Sequence, residues 1–159
     1  MSRYEWLLFL HVLTAFALVA AMVVYTYVIV ASRNLDVPSD VVRMFRLSRV
    51  GDVLVGVGAV GVLVFGVWLA FEADGYAIWD GWIVAALVLW ALFGWVGSRT
   101  GKIYDAARAR ARALVAEGRD APSADLNALV RTSRGRTHQL LLVGIVLLLL
   151  VDMIYKPGA

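Results

Sequence analysis

Four long, almost uncharged apolar stretches constrain this chain more than any other feature of it. A helix that crosses a bilayer needs about 20 consecutive, mostly apolar residues. Runs of that kind fall at about 4–31, 53–71, 82–98 and 139–155. The first carries no charge after Glu5, and the last contains the unbroken run from Leu140 to Val151. With 62% hydrophobic residues in 159, the composition belongs to the membrane class rather than to soluble domains. The expected fold is all-α: a single four-span transmembrane bundle of up-down topology. The first stretch is too long for a cleavable signal, so the chain is expected to retain it.

Charge orients the spans. Arginine outnumbers lysine thirteen to two. Thirteen of the fifteen basic residues lie either between spans one and two or between spans three and four, on one side of the membrane. Only Arg3 and Lys156 fall on the other side, with Glu72, Asp74 and Asp80. Positive residues favour the cytoplasmic side, which places both long loops inside and both termini outside a bacterial inner membrane. The Arg, Ala and Val richness fits a genome of high GC content. Tyr4, Trp6, Trp68, Tyr76, Trp79, Trp82 and Tyr155 fall near the outer boundary, as an aromatic belt does, and Trp95 nearer the inner one. The basic balance is explained by the loops and does not call for nucleic acid.

The segment 99–137 reads as an amphipathic cytoplasmic arm. A helix over 102–118 continues from the third span, with Ile103, Ala107, Leu114 and Val115 on one side and Arg108 and Arg112 on another. Ser123 is a candidate N-cap for a short helix to about Val130. Two uses follow. The arm lies solvated beside anionic headgroups, or Arg108, Arg110 and Arg112 dock a partner subunit of a membrane complex.

Chemistry is scarce. The absence of cysteine removes disulfides, thiolate metal sites and covalent haem attachment. No phosphate-binding loop, metalloprotease motif or nucleophile elbow occurs, so the expectation leans away from an enzyme and names no metal site. Intramembrane ionisable residues are costly and mark function, which singles out His11. It shares a helix face with Ala15, Leu18, Met22 and Tyr25, with Thr14 alongside. Its imidazole either ligates haem iron or another metal, or passes a proton, or else bonds a neighbouring helix. His138 falls at the opposite boundary, so the two histidines cannot be axial ligands of one haem b in one monomer. Asp52 and His138 read as structural polar residues, Asp52 as a cap of the second span within reach of Arg46, Arg49 or His138. Asp152 is expected to face water or Lys156. Gly51, Gly56, Gly58, Gly61 and Gly66 indicate close helix packing, as do Gly94 and Ser98.

Three stretches carry a resemblance: Leu7-Leu8-Phe9-Leu10-His11-Val12-Leu13, then Phe65 to Phe71 with Asp80-Gly81-Trp82, and the tail from Asp152 to Ala159. Together they resemble a family of uncharacterised bacterial integral membrane proteins. That family is distantly similar to copper-resistance D (CopD) proteins and to the HemJ-type protoporphyrinogen oxidase. The resemblance to HemJ-like proteins implies haem binding through the first-helix histidine, which is His11 here. The lysine those enzymes use on a later membrane helix has no counterpart within a span. Three roles therefore stand: an accessory subunit acting by packing and a basic surface, a haem or porphyrin-binding redox protein, and an oligomeric metal-ion or proton conduit.

Overall fold

A computed structural model describes residues 2–72 and 77–156, and these form five helices with no strand among them. They are α1 (Arg3–Ser32), α2 (Pro38–Glu72), α3 (Gly81–Ala116), α4 (Ala124–Val130) and α5 (Ser133–Tyr155). Asp74, Tyr76 and the tail 157–159 lie outside the described residues. Local chemistry fixes most of the boundaries. Ser2 and Glu5 form a reciprocal capping box at the start of α1. Pro38 occupies the first position of α2, where its missing N–H costs nothing. Gly118, at φ +70°, closes α3 in a Schellman arrangement: Arg119 N–H donates to the Leu114 carbonyl and Gly118 N–H to that of Val115.

Four helices among the described residues are long and apolar enough to cross a membrane. Their apolar side chains point outward: only 11% of the most apolar window of α2 is buried. Val53, Val57, Val60, Val64, Trp68 and Phe71 form an exposed strip along α2, and Leu140, Leu147, Leu148, Val151 and Ile154 another on α5. A water-soluble protein could not expose such strips, whereas lipid tails satisfy them. The chain is an integral membrane protein with lipid around its helices.

Inside, α1 lies along α2 and α3 along α5, and the two pairs meet chiefly through α2 and α3. The central core joins Leu18, Ala21 and Met22 of α1 to Phe93 and Val96 of α3 and to Leu142, Ile145 and Val146 of α5. A second core lies at the arginine-rich end, where Val28, Ile29, Val41 and Phe45 pack with Tyr104, Ala107, Ala111, Leu114, Leu126 and Val130.

That second core corrects two expectations. The helix that carries the expected span 53–71 begins at Pro38, so most of the anticipated loop is helix. With 35 and 36 residues, α2 and α3 are about 52 and 54 Å long. Both overrun a hydrocarbon layer of about 30 Å. The overrun is not a solvated arm, because the end of α3 packs with α4 and with the adjoining ends of α1 and α2 as a small folded head. The hinge between α4 and α1 is polar: Arg131 meets Asp36 at 2.8 Å and the Arg33 carbonyl at 2.9 Å. Asn127 donates to the same Asp36 carboxylate at 3.1 Å. The helix expected after Ser123 is present, although the Ser123 side chain makes no capping bond.

Candidate functional site

Glycines on α2 set the positions of the polar residues on α1. The two helices run antiparallel with Gly51 facing Tyr25, Gly58 facing Leu18, Gly61 facing Thr14 and Gly66 facing His11. A Cβ on Gly58 would stand 2.7 Å from the Leu18 backbone nitrogen, so the backbones are in direct contact there. Close approach of this kind is what small residues contribute in a membrane, where no hydrophobic drive joins helices. Thr14 turns its hydroxyl back onto the carbonyls of Leu10 and His11 at 2.9 Å, leaving its methyl against Gly61. Gly56 and Gly94 have open space where a side chain would start, so they serve no such contact. The packing role expected for Gly94 and Ser98 is therefore corrected: both line a cavity instead.

Two cavities lie beside this seam. The first, about 330 Å³, sits at the end that holds both termini. Leu8, Leu63, Leu87, Leu149 and the rings of Trp82 and Trp90 wall it, and its polar atoms are few. His11 reaches into it from α1, Met153 and Lys156 from α5. The imidazole meets the backbone of Val62, while Nδ1 is buried without a hydrogen-bond partner. A Cβ at Gly66 would come within 2.9 Å of the ring, so glycine there makes room for the imidazole. Lys156, in the left-handed region at φ 42°, caps α5 and holds its ammonium 5.3 Å from the Trp82 ring centre.

The second cavity, about 310 Å³, lies toward the arginine-rich end, and more of its lining residues are charged or hydroxyl-bearing. The Tyr25 hydroxyl donates to the Asp52 carboxylate across the α1–α2 seam. Arg108 donates to Ser48 at 2.6 Å, pairs with Asp105 at 3.5 Å, and lies 5.7 Å from the Phe45 ring centre. Gln139 bridges from α5 to Thr26 of α1 at 3.0 Å. Trp90 forms a wall of both cavities, its indole N–H anchored on the Ala59 carbonyl at 3.1 Å.

The sequence-expected residues are thus distributed differently from the sequence reading. Asp52 does not cap a span. It lies well inside α2 and is held by Tyr25, and no ion pair joins it to Arg46, Arg49 or His138 among the described residues. His138 lies near the start of α5, away from both cavities, with Nδ1 buried and unpartnered. The arginine trio is dispersed: Arg108 turns inward to Ser48, Arg110 reaches Asp125 of α4 at 3.4 Å, and only Arg112 is exposed. Asp152 does not face water; it is buried, and Oδ2 has no hydrogen-bond partner. Trp6, Trp68, Trp79 and Tyr155 are exposed as an aromatic belt requires, but Trp82 is buried in the cavity wall. The sequence reading missed Tyr25, Ser48, Tyr104 and Gln139 as a polar group. A polar residue recurring on the buried face of each span was the signal that could have found them.

The family model for a predicted integral membrane protein (DUF2269) matches residues 5–157. No curated protein and no solved structure matches the chain.

Proposed function

We propose that this chain, which belongs to the DUF2269 family of predicted integral membrane proteins, is an intramembrane haem or porphyrin-binding protein whose ligand site is the His11 cavity. One observation carries the reading: His11, whose Nδ1 is buried without a hydrogen-bond partner, lines an apolar, aromatic-walled cavity. Unpaired buried polar atoms are costly, and a ligand that takes the nitrogen's lone pair removes that cost. The side chains around it offer the donor set that a metalloporphyrin takes. His11 would supply an imidazole to the iron, Met153 offers a thioether from another helix, and Lys156 offers a cation for a propionate. Bound haem supplies one-electron redox chemistry; the protein's part is to fix the imidazole against Gly66 and to keep the site dry. The accessory-subunit reading has less support, because two of its three arginines are engaged within the chain. A conduit would require Trp90 to leave its anchor on Ala59.

The test is an absorption spectrum of protein purified in mild detergent after expression with added haem, oxidised and then reduced with dithionite. A Soret band that sharpens on reduction is expected, lost in His11→Ala and altered in Met153→Leu. A folded wild-type protein that stays colourless under these conditions refutes the reading.

The arginine-rich end belongs, on this proposal, in the cytoplasm of a bacterial cell, with exposed Arg99, Lys102, Arg112 and Arg136 beside anionic headgroups. Because the chain has no cysteine, single substitutions report orientation directly. In intact cells a membrane-impermeant maleimide should label Ser2→Cys and spare Arg112→Cys, which should react only after lysis. The reverse pattern inverts the protein.

A further inference from the structure

The second cavity contains donors that nothing in the chain satisfies. Arg108 spends one terminal nitrogen on Ser48 and the other on Asp105, and its Nε is buried without a partner. Tyr104, 6% exposed, lines the same cavity, and its hydroxyl is also buried without a partner. Both residues belong to the cavity wall, and buried donors without a partner favour a ligand with acceptor oxygens. The charge balance narrows the class. Asp52 and Asp105 line the cavity against the single cation of Arg108, so an anionic ligand would meet net repulsion. A neutral carbonyl oxygen would not. The apolar part of the wall includes the rings of Phe45, Trp90 and Phe93, which suit a flat ring. α3 also contributes Gly94, Gly97 and Gly101 to the lining, and at Gly94 and Gly101 nothing stands within 4 Å of an added Cβ. That open strip is an exit for an apolar tail.

We infer that this cavity binds a lipid-soluble quinone, its carbonyl oxygens accepting from Arg108 Nε and the Tyr104 hydroxyl and its tail leaving along the α3 glycines. The site is separate from the His11 pocket and stands whether or not that pocket holds haem. A volume of about 310 Å³ takes one ring headgroup with the first part of a tail, at the small end of ligand pockets.

The experiment is a titration of the full chain, in detergent and without added haem, with a short-tailed benzoquinone, followed by tryptophan fluorescence. Saturable quenching is expected, carried mainly by Trp90 and largely absent in Trp90→Phe. Tyr104→Phe, which removes a single oxygen, should weaken binding roughly three- to tenfold. Arg108→Gln should weaken it by more. Gly94→Leu, which grows into open space and leaves the helix contacts intact, should block the tail and abolish saturation. His11→Ala should bind as wild type does, which separates this site from the haem reading. Quenching that rises linearly and equally in all variants is partition into detergent and overturns the proposal. Displacement of the quinone by an equal concentration of diacylglycerol assigns the carbonyl site to lipid esters and likewise overturns the quinone assignment.

Discussion

Gly58→Ala is expected to destabilise the bundle by about 1–3 kcal/mol, whereas Gly56→Ala, half a turn away, should leave stability unchanged or raise it by up to about 1 kcal/mol. The two residues share a helix and a depth, and differ only in what a methyl group would meet. At Gly58 it meets the backbone nitrogen and Cα of Leu18 at 2.7 and 2.9 Å, atoms that no rotamer change can move. At Gly56 it meets nothing within 4 Å, and alanine's better helix propensity acts alone. Separating α1 from α2 at Gly58 would also loosen Tyr25 on Asp52 below and His11 on Gly66 above. Both ligand readings should therefore suffer in Gly58→Ala and survive in Gly56→Ala. Unfolding in detergent, followed by circular dichroism, measures the difference. Equal effects at the two positions would show that the α1–α2 seam is not what holds the polar residues in place.

The membrane class and the four spans were legible because hydropathy over about 20 residues is a strong signal. The face of α1 that carries His11, Ala15, Leu18, Met22 and Tyr25, with Thr14 alongside, was legible too, since helical spacing alone gives it. What failed has a common physical cause. In a span surrounded by lipid, inward and outward faces are both apolar, so periodicity does not show which neighbour a residue meets. Asp52 accordingly read as a boundary cap, although its partner is Tyr25 on another helix. Arg108 read as surface because arginines usually are, yet Ser48 and Phe45 draw it under the head. Asp152 read as facing water or Lys156 from its place near the chain's end, and it is buried from water. The start of α2 was a different kind of miss. Pro38 followed by Ser39 and Asp40 is a readable helix start, and the arginines at 43, 46 and 49 masked it as loop.

The arrangement of the head gives the two cavities different characters. Near the termini, α2 and α3 contribute Val62, Leu63, Ala86 and Leu87, and the ionisable groups of that cavity are Tyr4, His11 and Lys156. Toward the arginine-rich end the same pair of helices contributes Ser48, Asp52, Ser98, Thr100, Asp105 and Arg108. The polarity therefore changes across Trp90, within one groove between the two helix pairs. A head that fixes the ends of α2 and α3 also fixes the width of that groove.

Leu126→Ala tests whether the head does this. Leu126 is completely buried, and α4 has only seven residues, so Leu126 and Val130 supply the apolar contact that seats it on α3. Truncating a leucine so placed costs about 2–5 kcal/mol where the site cannot collapse, more than a helix this short can recover from its own hydrogen bonds. The expected result is release of α4 with the membrane spans intact: trypsin should cut at exposed Arg119 and at Arg131 far faster than in the wild type, while helix content falls only slightly. Arg131 is informative because its bonds to Asp36 and Arg33 tie α4 to the end of α1. If the head sets the groove, quinone quenching should weaken in the same variant while any His11-dependent absorption persists, since the first cavity lies at the other end. Faster cleavage with both readouts unchanged would make the head an appendage, and the position of Arg108 would then depend on Ser48, Asp105 and Phe45.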